Sequence, residues 1–161
     1  MTSFINLIKE PINGLTRLFD VNVLISIVDP VHPFHACIHR WLQSRTGDSW
    51  ASCPITENGF VRILSQPAYK GSRRTPAEAI QLFRAMKDSP TRRHAFWADD
   101  YSLAEAAAVE AERLVTPAQI TDVYLLALAL RKGGKLLTFD RNIPWQCVPG
   151  GTAALIENPA D

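Results

Sequence analysis

Four acids, Asp20, Glu57, Asp122 and Asp140, have the clearest capacity for chemistry in this chain. Brought together, such a group raises its own pKa values unless a cation neutralises it, and an all-oxygen donor set suits hard Mg²⁺, with Mn²⁺ as a substitute, rather than Zn²⁺. A cation held this way can position a phosphodiester, acidify a water and stabilise an in-line displacement, so no side-chain nucleophile is required.

The elements that must position these acids can be read from the flanking residues. Leu15 to Phe19 is a short apolar run ending at Asp20, and Lys135 to Phe139 is another ending at Asp140; both read as buried parallel strands. Ser49 to Cys53 and His94 to Trp97 are further strand candidates, with Trp145 to Val148 as a fifth. Helical patterns occupy Val21 to Val28, Pro33 to Ser44, Pro54 to Leu64 and a segment opened by Thr75-Pro76 with Glu78. Ser102-x-x-Glu105 reads as the cap of another helix. The last long helix begins at Thr116 or at Ile120 and runs to Arg131, with Gly133-Gly134 ending it. This alternation predicts an α/β fold, a three-layer helix-sheet-helix sandwich around a central, mainly parallel sheet. Sites in such sheets form outside the C-terminal ends of the strands. That edge receives Asp20 and Asp140 directly, Glu57 one turn into its helix, and Asp122 early in its own.

Bulk properties narrow the function classes. At 161 residues, with 47% hydrophobic and 20% charged residues, the chain suits one ordered domain. Cys37, Cys53 and Cys147 show neither a disulfide framework nor a metal knuckle, which fits a reducing cytoplasm. No apolar run approaches a membrane span. A net charge of +1 leaves any RNA contact to local patches, of which Lys70-Gly71-Ser72-Arg73-Arg74 and Arg92-Arg93-His94 are the candidates.

Four strings surround the acids: Leu18-Phe19-Asp20-Val21-Asn22-Val23-Leu24-Ile25, Cys53-Pro54-Ile55-Thr56-Glu57-Asn58-Gly59-Phe60-Val61-Arg62, Ile120-Thr121-Asp122-Val123-Tyr124-Leu125-Leu126-Ala127-Leu128-Ala129 and Leu137-Thr138-Phe139-Asp140-Arg141. In this order they resemble the PIN-domain nucleases, in particular the VapC-type ribonuclease toxins of type II toxin–antitoxin pairs. Asp29-Pro30-x-His32-x-x-His35 and Trp41 resemble one subgroup of those toxins. The likeness covers residues 15 to 148 and makes residues 15–161 a single PIN-like domain. Residues 1–14 then form an N-terminal extension longer than the family's usual lead-in.

The resemblance implies a Mg²⁺-dependent endoribonuclease, a homodimer, and inhibition by a cognate antitoxin that inserts a segment into the site. It assigns Asp20, Glu57, Asp122 and Asp140 to the acidic site, with Asp20 and Asp122 as direct ligands and Asn22 and Thr138 orienting the carboxylates. Arg62 and Arg141, near Glu57 and Asp140, are candidates for RNA or antitoxin contact, with an ion pair to the acids as the equal alternative. His35 and His39 would share a helix face as a metal pair, but no third ligand follows, so His32, His35 and His39 read as structural or surface residues; Asp29 before Pro30 reads as a turn residue, and Trp50, Trp97 and Trp145 read as core or rim. Two rival functions stand beside the nuclease. One is a PIN-like module that binds RNA or protein without cleaving. The other is a phosphatase with Asp20 as nucleophile, which usually needs an acid where this chain has Asn22.

Overall fold

The computed structural model describes residues 15–105 and 107–161, so the extension expected at residues 1–14 lies outside the described residues. Five short strands, β1 (Arg17–Phe19), β2 (Trp50–Ser52), β3 (His94–Phe96), β4 (Lys135–Leu137) and β5 (Ile156–Glu157), form one sheet in the order β3-β2-β1-β4-β5. Every pairing is parallel, with Phe19 opposite Leu137 and Trp50 opposite His94.

Alternation along these strands builds two cores. Leu18, Ala51 and Leu136 point to one face, where they meet α5 (Gln119–Arg131). Phe19, Trp50 and Leu137 point to the other, against α1 (Val21–Val28), α2 (His35–Ser44), α3 (Pro54–Ser65) and α4 (Pro76–Lys87). The result is the helix-sheet-helix sandwich expected from the sequence. No helix among the described residues is long and apolar enough to cross a membrane.

α5 is buried continuously from Val123 to Ala129. A helix apolar on all sides needs cover on all sides. The sheet covers one side, and Tyr101, Ala108, Val109, Ile143, Cys147 and Val148 cover the rest. This explains two departures from expectation. Ser102 does accept a cap-like bond from the Ala104 amide at 3.1 Å, and the Glu105 amide reaches the Ser102 carbonyl at 3.2 Å, but the chain stays in turns. Ala108 and Val109 are instead spent as filler over α5, and the next amide, of Glu110, donates to the Cys147 carbonyl at 2.8 Å. Trp145 to Val148 is likewise no strand: Trp145–Cys147 is a 3₁₀ turn between Pro144 and Pro149, residues that cannot donate to a ladder. The fifth strand is Ile156–Glu157, too short to leave a periodic signal.

The start of α4 follows its sequence pattern, with the Thr75 amide donating to Glu78 and the Glu78 amide to the Thr75 hydroxyl, at 2.7 and 3.2 Å. Asp29 does more than turn the chain. It is buried at the end of α1, where its carboxylate accepts hydrogen bonds from the Tyr69 hydroxyl and the amides of Val31 and Ser72. Burial alone would push its pKa up, but these donors outweigh that and hold it below the ordinary carboxylate range. The bonds fasten the loop carrying Lys70, Arg73 and Arg74 to the first helix. His35 and His39 are structural, their rings bonded to the carbonyls of Ser26 and Ile27 at the end of α1.

Candidate active site

The strand order reverses at β1: β2 and β3 extend to one side, β4 and β5 to the other. A crevice opens outside the carboxyl ends of the strands at such a switch point. Asp20 follows β1 there and caps α1, its carboxylate accepting from the Val21 amide at 2.6 Å while its own amide donates to the Leu137 carbonyl at 3.0 Å. The register that sets Phe19 beside Leu137 sets Asp20 beside Thr138. The fully buried Thr138 hydroxyl donates to Asp20 Oδ2 at 3.0 Å and accepts from the Asp140 amide at 3.1 Å, joining two acids through one side chain. Asp140 is exposed and turns back on its own chain, accepting from the Asn142 amide at 2.7 Å.

Asp122 arrives from the other side of the sheet. α5 begins at Gln119, between the two starts the sequence offered, so Asp122 lies in its first turn, where helix dipoles favour anions. Burial, followed by the charges of Asp20 and Asp140, pushes its pKa up to about 6. Asp20 is raised as well, by burial first, against the lowering bonds from Thr138 and Val21 and with the Asp140 charge adding to the rise. Glu57 lies in the first turn of α3 and accepts a 2.6 Å bond from the Ser52 hydroxyl. Gly59 allows α3 to lie close to α1: a Cβ there would stand 2.7 Å from Val21 Cγ2.

Asp20, Asp122 and Asp140 therefore share one field, and Glu57 is tethered to Ser52 at the carboxyl end of the neighbouring strand β2. Among the described residues no Lys or Arg pairs with any of the four, so their charge is uncompensated by the protein. A hard divalent cation fits this donor set. The carboxylates do not already converge into a ligand shell, since no three His, Cys, Asp or Glu side chains among the described residues stand close enough to hold an ion.

The other candidates fall around this site unequally. Asn22 is exposed on α1 and makes no side-chain hydrogen bond among the described residues, in contrast to Thr138. Arg62 is exposed on α3, along a shallow groove with Pro54, Ile55 and Asn58. Arg141 pairs with Asp161 at 2.6 Å rather than with the acids. Arg92 turns inward to the Leu42 carbonyl, which takes it out of its basic run, whereas Lys70 and Arg73 are exposed. Ser52 and Gly59 carried no signal in the sequence as site residues, and His94, read there only as part of a basic run for RNA contact, instead turns its ring to the Ser52 hydroxyl. Ser52 and His94 share a sheet face with Glu57's helix only through the β2–β3 register, which pairing alone reveals.

A PIN domain family model matches residues 17–145, the span that holds the sheet's first four strands and all four acids. The chain belongs to the PIN domain family, and its similarities lie in the VapC branch. It is 42% identical over 138 residues to Ribonuclease VapC44 of Mycobacterium tuberculosis, covering 86% of this chain and 95% of that one. Ribonuclease VapC39 of the same organism is 41% identical over 126 residues, covering 78% of this chain and 89% of its own. Among solved structures, VapBC2 from Rickettsia felis, bound to a DNA fragment from its promoter, superposes with a TM-score of 0.52 over 89% of this chain and 98% of that one. At 12% identity that match speaks for the fold alone.

Proposed function

We propose that this chain is a divalent-metal-dependent endoribonuclease and the toxic component of a type II toxin–antitoxin pair. The observation that carries the reading is the uncompensated negative charge of Asp20, Asp122 and Asp140 at the sheet's switch point, in a chain 42% identical to a VapC ribonuclease. Asp20 and Asp122 hold the cation, Mg²⁺ with Mn²⁺ as substitute, and Glu57 and Asp140 complete the charge around it and the attacking water. When bound, the cation supplies charge neutralisation at the phosphodiester and acidifies water. Thr138 holds the Asp20 carboxylate through its hydrogen bond, and Asn22, exposed two residues after Asp20 on α1, helps orient the carboxylates by hydrogen bonding when the cation is bound. Glu57, with Oε1 held by Ser52, offers Oε2 to accept a proton or hydrogen bond from water.

Residues 15–161 act as one domain in this reading, which places the protein in the cytoplasm as a homodimer whose partner is an antitoxin segment covering the crevice. Arg62, exposed beside the Glu57 helix, contacts RNA phosphate or that antitoxin; Arg141 does so after leaving Asp161. The ribonuclease relatives do not favour a silent binding module or an aspartate-nucleophile phosphatase.

Purified protein given RNA and Mg²⁺ should cut it internally and stop on chelation. Asp20→Asn and Asp122→Asn should each reduce the rate at least about 100-fold with the melting transition intact, since removing one charge of such a site costs several kcal/mol of transition-state stabilisation. Either variant cutting at the wild-type rate sinks the assignment.

A further inference from the structure

Behind Glu57 stands a short chain of hydrogen bonds that the acidic site itself does not explain. The Ser52 hydroxyl lies 2.6 Å from Glu57 Oε1 and 2.7 Å from His94 Nε2, and Ser52 is fully buried. A serine hydroxyl has one proton to give. The carboxylate can only accept, so the hydroxyl donates to Glu57 and must accept from His94, which fixes the imidazole tautomer with its proton on Nε2. The ring is held by aromatic neighbours, tilted 58° to Trp50 at 4.4 Å and edge-on to Phe83 at 6.4 Å. β3 pairs with β2 so that Trp50 faces His94, making Ser52 the diagonal neighbour of His94 on the same face of the sheet.

We propose that His94, acting through Ser52, is a positioning residue that fixes the Glu57 carboxylate for the chemistry at the four-acid site. The inference rests on the nuclease reading for what Glu57 does, and on geometry alone for what holds it. A glutamate in the first turn of a helix has three side-chain torsions to fix, and acidic catalytic groups must be held within about 0.5 Å of their working position. A satisfied, buried hydroxyl network supplies that constraint without placing a second charge beside the acids. Burial and the Lys87 charge press the His94 pKa down to about 4, so the ring is neutral near pH 7 and passes a hydrogen bond rather than a proton.

The test uses three single variants of the full chain and the double variant Ser52→Ala with His94→Phe. His94→Phe keeps the aromatic shape and deletes the donor, His94→Gln returns an N–H at the position of Nε2, and Ser52→Ala removes the middle link. With RNA and Mg²⁺, His94→Phe and Ser52→Ala should each lower kcat about 10-fold or more, with KM changed less than about twofold. The double variant should be no slower than either single, and His94→Gln should restore most of kcat. A His94→Phe enzyme at wild-type kcat, or a His94→Gln enzyme as slow as His94→Phe, overturns the proposal. A second readout needs neither metal nor turnover: ¹⁵N NMR of the metal-free wild type should show the His94 ring protonated on Nε2. Protonation on Nδ1 overturns the relay. If Asp20→Asn cuts RNA normally, the nuclease assignment falls by itself, while the tautomer still decides the relay.

Discussion

Asp122 shows how one residue can make the site costly to leave without a cation. Its carboxyl, raised from 3.8 to about 6 by burial and by the Asp20 and Asp140 charges, holds a proton more tightly in the folded protein than in the unfolded chain. For an acid shifted this way, the folded state is favoured at low pH and loses that advantage as pH rises from about 4 to about 6. Metal-free Asp122→Asn should therefore match wild type near pH 4 and exceed it at pH 7. With solvent screening around a partly exposed group the gain is about 1 kcal/mol, or roughly 2–4 °C in melting temperature. Added Mg²⁺ should raise the melting temperature of wild type and leave the variant nearly unmoved. Thermal melts at the two pH values, with and without Mg²⁺, check both statements; a variant less stable than wild type at pH 7 contradicts them. The acids themselves were legible in the sequence because two end apolar runs and two open helices. Their supports were not, since the Ser52 to His94 contact spans 42 residues and depends on strand register.

Two elements meet at Gly59, and their spacing sets where Asp20 and Glu57 stand. α1 carries Asp20 at its cap and α3 carries Glu57 in its first turn; the helices touch where Val21 faces Gly59. Gly59→Ala would set a methyl 2.7 Å from Val21 Cγ2, well inside contact distance, so one helix or the Val21 side chain must shift. The expected cost is about 1–3 kcal/mol in denaturant unfolding, typical of overpacking, together with a fall in RNA cleavage larger than the lost stability explains. Val21→Ala placed in the same chain removes the clash and should recover most of the activity. If the double variant remains as impaired as Gly59→Ala, the contact is not what spaces the two acids. At this scale the sequence read well wherever a pattern was local: the Thr75-Pro76-Glu78 start of α4, the glycine stop after α5, the apolar runs of β1 and β4. It misled wherever tertiary demand overrode local preference. The helix-capping signature at Ser102 gave way to a loop that lids α5, and the apolar run from Trp145 to Val148 coils because prolines flank it.

At the scale of the whole molecule, Arg17 anchors an ion-pair cluster that links distant parts of the chain. Only 6% exposed, it pairs with Asp48 at 2.7 Å and Glu157 at 2.6 Å, Arg45 adds to Glu157 at 3.1 Å, and both guanidinium groups lie over the Trp41 ring. The cluster ties the central strand to the loop before β2, to α2 and to β5. Arg17→Met keeps much of the volume but leaves Asp48 and Glu157 without their shared partner, which should cost about 3–5 kcal/mol, read as a lower urea midpoint. A loss under about 1 kcal/mol would mean that packing rather than charge holds β5 in place. The same long reach applies to the acids. Thr138 reaches back 118 residues to grip Asp20, and β1 lacks one of its two neighbours until β4 exists. At about 5–20 residues per second on a ribosome, Asp20 emerges several seconds or more before Thr138 and Asp140. A growing chain therefore stays unarmed for most of its synthesis, and for an enzyme that cuts RNA this delay shields the message and ribosome still producing it.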